Sequence, residues 1–176
     1  MAEQKTLINL FLTSVEKYPD RPLMWEKQDG EYKATTYHEA KSVVEKIAAG
    51  LMELDLRLGD RVVLFAPGRN DWVSSELAIL FCGAINVPLS IKLKELNELK
   101  FRFEHSKTRF AIVAQPQLDA VLAIKNDLPA LEKIISLDEV EIEDTDLLLM
   151  KDLKKMGEDF LAKKRAEFET RFQSVQ

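Results

Sequence analysis

The sequence predicts an α/β fold in which a largely parallel sheet carries helices on both faces, with an N-terminal β-hairpin and a long C-terminal helix. From Leu58 to Ser90, two short apolar runs flank a stretch whose apolar residues recur at helical spacing, which is the pattern of a βαβ unit. After this unit, apolar runs alternate with helical segments of about ten to fifteen residues, as in a parallel sheet. Asp29-Gly30 between two extended runs predicts the hairpin.

The first elements follow from apolar spacing and local stop signals. Apolar residues on one face predict an amphipathic helix from Thr6 to Tyr18, which Pro19 ends. The extended runs Pro22–Glu26 and Tyr32–Thr36 are the two strands of the predicted hairpin.

Capping residues locate the next helices. Thr36, followed three residues later by Glu39, predicts a capping box for a helix that ends near Leu56. Asn70 is expected to cap the helix of the βαβ unit, and Gly83 to end it. The remaining predicted elements are strands at Arg61–Phe65, Ile85–Leu89, Phe110–Ala114 and Lys133–Leu137 and helices at Glu95–His105, Gln117–Asn126 and Met150–Phe172.

Composition indicates one globular domain, or a domain with an appendage, and disfavours several classes of partner. The chain has 176 residues, 46% of them apolar and 31% charged, and a net charge of −5 with both signs interspersed. This charge offers no electrostatic basis for binding nucleic acid or an anionic membrane. We expect no secretory signal, because the first residues lack a basic region followed by a long apolar stretch, and no membrane span, because no run reaches roughly 18 apolar residues. Because Cys82 is the sole cysteine, the sequence predicts a reduced, cytoplasmic protein with Cys82 in its core.

The loop from Phe65 to Asn70 follows a strand and opens a helix, which is where phosphate sites occur. Gly68 and Arg69 are weak support for such a site, because Pro67 lacks an N–H donor and the G-x-G-x-x-G pattern of a dinucleotide site is absent. We therefore expect a plain turn with a helix cap.

The histidines and the acidic run do not predict a catalytic or metal site. His38 lies in the first turn of a helix, where the dipole disfavours an imidazolium, so it is interpreted as a surface or half-buried packing residue rather than a general base. His105 lies beside Glu104 and Ser106, but adjacent residues on a helix do not face each other, so no triad is expected. The run Asp138–Asp146 lacks the glycine and spacing of a calcium loop and is interpreted as a solvated linker.

Three segments together resemble one enzyme family. The βαβ unit contains GDRV, then Asn-Asp-Trp entering a helix, then ELAILFCGAINVPL. The segments Thr35–Leu51, before this unit, and Phe101–Val113, after it, each resemble a segment of the same family, and the three segments have the family's order and spacing. Over roughly Thr6 to Leu137, the chain resembles the adenylate-forming (AMP-binding) acyl-CoA synthetases, most closely the long-chain fatty acid–CoA ligases.

The resemblance implies an activity for a longer parent enzyme. Members of the family activate a carboxylic acid with ATP to give an acyl-adenylate and pyrophosphate, and then transfer the acyl group to coenzyme A. ATP, Mg²⁺ and coenzyme A are thus implied for the parent, with a fatty acid as substrate. The family's Gly/Ser/Thr-rich phosphate loop, ribose-binding Asp and C-terminal Lys are absent, and the six glycines are isolated. We therefore expect no catalytic, cofactor-binding or metal-binding residues here, and interpret the chain as an N-terminal fragment that is inactive alone.

The resemblance also implies structural roles for three residues of the βαβ unit. Asn70 caps the helix, Trp72 anchors the helix to the sheet, and Glu76 satisfies a buried donor from the backbone or from an arginine. None of the three is expected to take part in chemistry.

The predicted organisation has three parts. Residues 1–137 form an N-terminal α/β subdomain, residues 138–150 an acidic connection, and residues 151–176 an amphipathic helix that leads into the missing remainder. The expected partner is that remainder, with self-association where an apolar face is left open. Two other hypotheses are a free-standing α/β protein-interaction module that uses the C-terminal helix, and a nucleotide-binding regulatory domain, which the missing glycines disfavour.

Overall fold

The structure is a computed structural model that describes residues 6–142 and 144–174, and it confirms the predicted fold class. The strands are β1 Pro22–Gln28, β2 Glu31–Thr36, β3 Arg61–Phe65, β4 Ile85–Pro88, β5 Phe110–Val113, β6 Lys133–Ser136 and β7 Leu147–Leu149. The helices are α1 Leu7–Lys17, α2 Tyr37–Glu53, α3 Asn70–Phe81, α4 Leu96–Ser106, α5 Gln115–Ile124 and α6 Met150–Gln173. Five parallel strands form the main sheet in the order β4-β3-β5-β6-β7, and β1 and β2 form a separate antiparallel hairpin.

Helices cover both faces of the main sheet, each face over its own apolar core. Alternate residues of β3 point to opposite faces. Val62 and Leu64 lie in a first core with residues of α1, α2, α3 and α6, whereas Val63 and Phe65 lie in a second core with residues of α4 and α5. All four side chains are at most 1% exposed, so β3 contributes buried residues to both cores.

Helices α2 and α6 cross closely because each has a glycine where the two backbones meet. A Cβ atom on Gly157 would lie 1.8 Å from the Lys46 carbonyl oxygen, and one on Gly50 would lie 2.4 Å from the Leu153 carbonyl oxygen. A mid-helix glycine weakens an isolated helix. Here the glycine permits a contact that leaves Leu153 0% and Phe160 5% exposed, so the last helix packs on the domain.

A bend at Lys164 divides α6 into two segments. Its backbone is not helical, with φ −132° and ψ 34°. After the bend, Phe168 is buried in the first core, and Phe172 stacks on Phe81 with ring centroids 4.6 Å apart. Because Phe81 is the last residue of α3, α6 ends close to the point where the chain turns into β4.

The predicted elements agree with the observed bounds to within three residues at each end. The capping box forms as predicted: the Glu39 N–H donates to Thr36 Oγ1, and Glu39 Oε2 accepts from the Thr36 N–H at 2.8 Å. The prediction that Asn70 caps α3 is wrong, because Arg69 is the N-cap residue and makes no side-chain cap. Strand β7 was not predicted, since three leucines after an acidic run are too short to show a period. Among residues 6–142 and 144–174, no helix is both long and apolar enough to cross a membrane.

Candidate functional site at the carboxyl edge of the sheet

The carboxyl ends of β3, β5 and β6 meet at one edge of the main sheet, which is where open α/β folds bind ligands. The loop after β3 contains Arg69, α5 begins at Gln115 directly after β5, and Asp138 follows β6. Two segments singled out in the sequence, the Phe65–Asn70 loop and the acidic run that begins at Asp138, are therefore neighbours in the structure.

An ion-pair network joins these segments to α6. Arg69 Nη1 lies 2.7 Å from Asp138 Oδ1, and Arg69 Nη2 lies 3.1 Å from Asp71 Oδ2. Lys154 Nζ lies 3.2 Å from the other carboxylate oxygen of Asp71. The four side chains are 25–30% exposed, so the pairs are partly shielded from water. Two cations face two carboxylates, and the network is electrically balanced.

The same contacts set the protonation of the central pair. Partial burial alone would raise the pKa of Asp138, but the Gln115 N–H and the Arg69 guanidinium outweigh it and lower that pKa below its ordinary value. Partial burial would likewise lower the pKa of Arg69, but its bonds to Asp138 and Asp71 raise it instead. The Gln115 N–H donates to Asp138 Oδ2 at 2.8 Å, so a single carboxylate caps α5 and binds the arginine.

The N-terminus of α3 faces a carboxylate from the hairpin. Glu26 Oε1 accepts from the main-chain N–H of Asn70 at 3.3 Å. The Asn70 side chain turns to the hairpin as well, and its Nδ2 donates to Thr35 Oγ1 at 3.3 Å. Glu26 thus takes the position that an anionic ligand would occupy at this helix end. The Arg69 cation is paired as well, so both groups that could attract a phosphate here have protein partners, and the absence of a phosphate site stays a prediction.

Trp72 and Glu76 are the two other residues of the βαβ unit for which structural roles were predicted. Trp72 is half-buried and packs against the first core, as predicted. Glu76 was expected to accept from the backbone or from an arginine, which is wrong: its Oε1 accepts from Asn86 Nδ2 at 3.2 Å. This bond ties α3 to the edge strand β4.

The two histidines and Cys82 do not form a common catalytic site. His38 is exposed, and His105 stacks on Phe101 with ring centroids 5.6 Å apart. The hydroxyl of Ser106 lies 2.6 Å from Thr108 Oγ1 rather than being joined to His105. Cys82 is fully buried, and burial raises the pKa of its thiol to about 12, which makes it a core residue rather than a nucleophile.

The acidic run is not simply solvated, because several of its carboxylates contact lysines. Lys125 Nζ donates to Asp144, whose side chain is 18% exposed, and this hydrogen bond lowers the pKa of Asp144. Lys133 lies 3.7 Å from Asp146 and donates to the Thr145 carbonyl oxygen at 3.0 Å. In the part of the chain that the structure describes, which omits Glu143, no three His, Cys, Asp or Glu side chains are grouped so that they could hold a metal ion.

Sequence reasoning missed the Arg69–Asp138 pair, whose members lie 69 residues apart. A signal was present, since both residues follow buried parallel strands, and carboxyl ends of such strands share one edge. What the pattern could not supply was the strand order that makes β3, β5 and β6 neighbours.

Comparison with known proteins identifies one family and several relatives that are similar to this chain in sequence. The family described as AMP-binding enzyme matches residues 11–169. The long-chain-fatty-acid–CoA ligase FadD15 of Mycobacterium bovis is 28% identical over 123 residues, covering 68% of this chain and 20% of the relative. The mitochondrial medium-chain acyl-CoA ligase ACSF2 of Danio rerio is 35% identical over 99 residues, covering 56% of this chain and 16% of the relative.

A solved structure shares the fold of this chain. The anthranilate CoA ligase AuaEII, crystallised in complex with anthranoyl-AMP, superimposes with a TM-score of 0.75 at 22% identity. The superposition covers 84% of this chain and 27% of that chain. The chain therefore spans about a fifth of the length of the curated relatives it matches, for example 20% of FadD15.

Proposed function

This chain belongs to the AMP-binding enzyme family, and from that premise we propose that it is the N-terminal scaffold of an ATP-dependent acyl-CoA ligase. In the proposed reaction, a carboxylic acid and ATP give an acyl-adenylate and pyrophosphate, and the acyl group then passes to the thiol of coenzyme A. The observation that carries the proposal is the extent of the family match, which runs from α1 through both cores to α6.

The substrate proposed is a fatty acid. One matched relative is named for long-chain fatty acids and another for medium-chain acyl groups, so the relatives support an acyl-CoA ligase and leave the chain length to experiment. We propose a cytoplasmic location for the whole protein.

The proposed role of this chain is to form a scaffold for the rest of the enzyme. Residues 1–137 would form the α/β subdomain, residues 138–150 the acidic connection, and residues 151–176 the helix that leads to the rest of the enzyme. At the carboxyl edge of the sheet, Arg69 joins the loop after β3 to Asp138, and Glu26 binds the first N–H of α3. We propose that the groups that bind ATP, Mg²⁺ and coenzyme A are supplied by polypeptide beyond this chain.

The alternative of a free-standing interaction module would need the apolar face of the C-terminal helix to be available. That face is instead buried within the domain, since Leu153, Phe160 and Phe168 are 0%, 5% and 3% exposed. The burial favours a scaffold over a module that binds through this helix.

Pyrophosphate release by the whole protein tests the proposal. Given ATP, Mg²⁺, coenzyme A and either medium-chain or long-chain fatty acids, the whole protein should release pyrophosphate and form an acyl-CoA. The 176-residue chain alone and the whole protein without fatty acid are the matched controls, and both should release none. Failure of the whole protein with every acid supplied would overturn the proposal.

A further inference from the structure

We propose that the free edge of β4 is the docking site for one additional parallel strand, formed by polypeptide that follows residue 176 in the whole protein. The inference rests on the proposed function in one respect, namely that the chain is part of a longer enzyme, as its share of its relatives' length suggests. Its structural support comes from the topology of the sheet, the end point of α6 and the groups along β4.

The crossover connections fix the side on which a further strand can join. From β3 to β4 the chain moves toward one edge of the sheet with α3 on the first core. From β4 to β5 and from β5 to β6 it moves toward the other edge with α4 and α5 on the second core. These connections have one hand, as parallel crossovers nearly always do. Because α6 lies on the first core, a parallel strand after α6 must lie on the β4 side of β7, where the position beyond β4 is the open one.

Helix α6 has the length and the direction for this crossing. Its 24 residues correspond to about 36 Å of helix, while the position beyond β4 lies five strand spacings, or about 24 Å, from β7. Its last turn lies against the end of α3, as the stacking of Phe172 on Phe81 shows. Strand β4 begins at Ile85, four residues after Phe81, so α6 brings the chain to the amino end of β4. A strand starting there would run parallel to β4.

The main-chain groups of β4 leave a defined edge for that strand. The Ile85 N–H donates to the Asp60 carbonyl at 2.7 Å and the Leu89 N–H to the Leu64 carbonyl at 3.0 Å, so both point toward β3. In a parallel ladder the groups of alternate residues point to opposite sides. Asn86 therefore presents its N–H and C=O at the free edge, as Pro88 does its C=O.

The side chains at this edge also lack a complete environment. Ile85 is 51% exposed, although it lies on a strand of a parallel sheet whose central strand, β5, is fully buried. Asn86 Oδ1 is buried and has no hydrogen-bond partner among residues 6–142 and 144–174. A buried amide oxygen without a donor is destabilising. A strand on the β4 edge would cover Ile85 and could bring a donor to Asn86.

A strand from the same polypeptide is favoured over a second copy of the chain. The end of α6 holds the following segment beside β4, which gives it an effective concentration in the millimolar range for a short connection. A second copy would have to bind from solution through a four-residue strand that offers Asn86 as its outward N–H donor, because Pro88 has none.

Residue-resolved hydrogen exchange tests the inference. The Asn86 amide should exchange rapidly in the 176-residue chain and at least about 100-fold more slowly in the whole protein. The Leu89 amide is the matched control, because its bond to β3 is present in both proteins and should protect it in both. Pyrophosphate release is measured on the same whole-protein sample.

Each outcome decides the inference. Equal, rapid exchange of Asn86 in both proteins would overturn it, as would a reading frame that ends after residue 176. Protection of Asn86 in the 176-residue chain that grows with protein concentration would assign the edge to a second copy instead. Rapid exchange of the Asn86 amide in a whole protein that releases pyrophosphate would refute the docked strand and leave the proposed ligase function intact. Protection of the Asn86 amide in a whole protein without activity would support the docked strand and refute the ligase function.

Discussion

The close crossing of α2 and α6 predicts that Gly157→Ala destabilises the protein, although alanine is the better helix former. A Cβ atom at residue 157 would lie 1.8 Å from the Lys46 carbonyl oxygen and 2.9 Å from the Gly50 main-chain nitrogen. Both neighbours are backbone atoms of another helix, so neither can move aside as a side-chain tip could. The two helices must separate by about 1.6 Å to restore ordinary contact at 3.4 Å.

The expected change in the free energy of unfolding is the net result of opposing effects. Alanine in place of a mid-helix glycine would contribute about 1 kcal/mol of stability. Overpacking costs about 1–3 kcal/mol, and a gap larger than about 1 Å forfeits half or more of the dispersion attraction across the contact. Leu153 and Phe160, now 0% and 5% exposed, would lose part of their packing. We expect a net loss of about 2–3 kcal/mol in the free energy of unfolding, equivalent to about 4–12 °C in Tm.

Urea denaturation followed by circular dichroism measures this loss. Gly68→Ala is the matched control, because a Cβ there has no atom within 4 Å, and its unfolding free energy should change by less than about 0.5 kcal/mol. A Gly157→Ala protein as stable as the wild type, or more stable, would refute the close crossing.

The remaining predictions concern the ion-pair network, the buried thiol and the first cap. Arg69→Ala leaves the carboxylate of Asp138 partly buried without its cation and should lower the unfolding free energy by about 1–3 kcal/mol in urea. The exposed control Arg57→Ala should leave the urea midpoint nearly unchanged. Because folding lowers the pKa of Asp138, the stabilisation that its carboxylate contributes is present above about pH 4 and is lost as the pH falls through the folded-state pKa. The difference in unfolding free energy between the wild type and Asp138→Asn should therefore shrink in that acid range. A difference that does not depend on pH would count against the pairing. The thiol of Cys82, with its pKa raised to about 12, should not react with a disulfide reagent at neutral pH until urea unfolds the protein; rapid labelling of the native protein would contradict its burial. Thr36→Ala should cost about 1 kcal/mol in unfolding free energy, and an unchanged midpoint would mean that the capping box is not formed in solution.

Features encoded by neighbouring residues were predictable from the sequence. Thr36 and Glu39 are three residues apart, and their capping box forms as the pattern indicates. Asp29 and Gly30 adopt φ of 52° and 89°, the pair of positive angles that an Asp-Gly hairpin turn uses. Such signals depend on local geometry alone, so the strand order of the sheet does not affect them.

Features that depend on distant residues were not predictable in the same way. Asn70 has the right chemistry for an N-cap, but Glu26, 44 residues earlier, binds the first N–H of α3 instead. Gly157 would weaken an isolated helix, whereas in the structure it admits the backbone of α2. The pairing of Arg69 with Asp138 needed the order of three strands, which local patterns do not contain.

The central claim is that the carboxyl edge of this sheet is neutralised by its own side chains and does not bind a nucleotide without further polypeptide. Titration of ATP·Mg²⁺ into the 176-residue chain, followed by isothermal calorimetry, tests it most directly. The account predicts only the heat of dilution. A saturable heat with a micromolar Kd, abolished by Arg69→Ala, would contradict it.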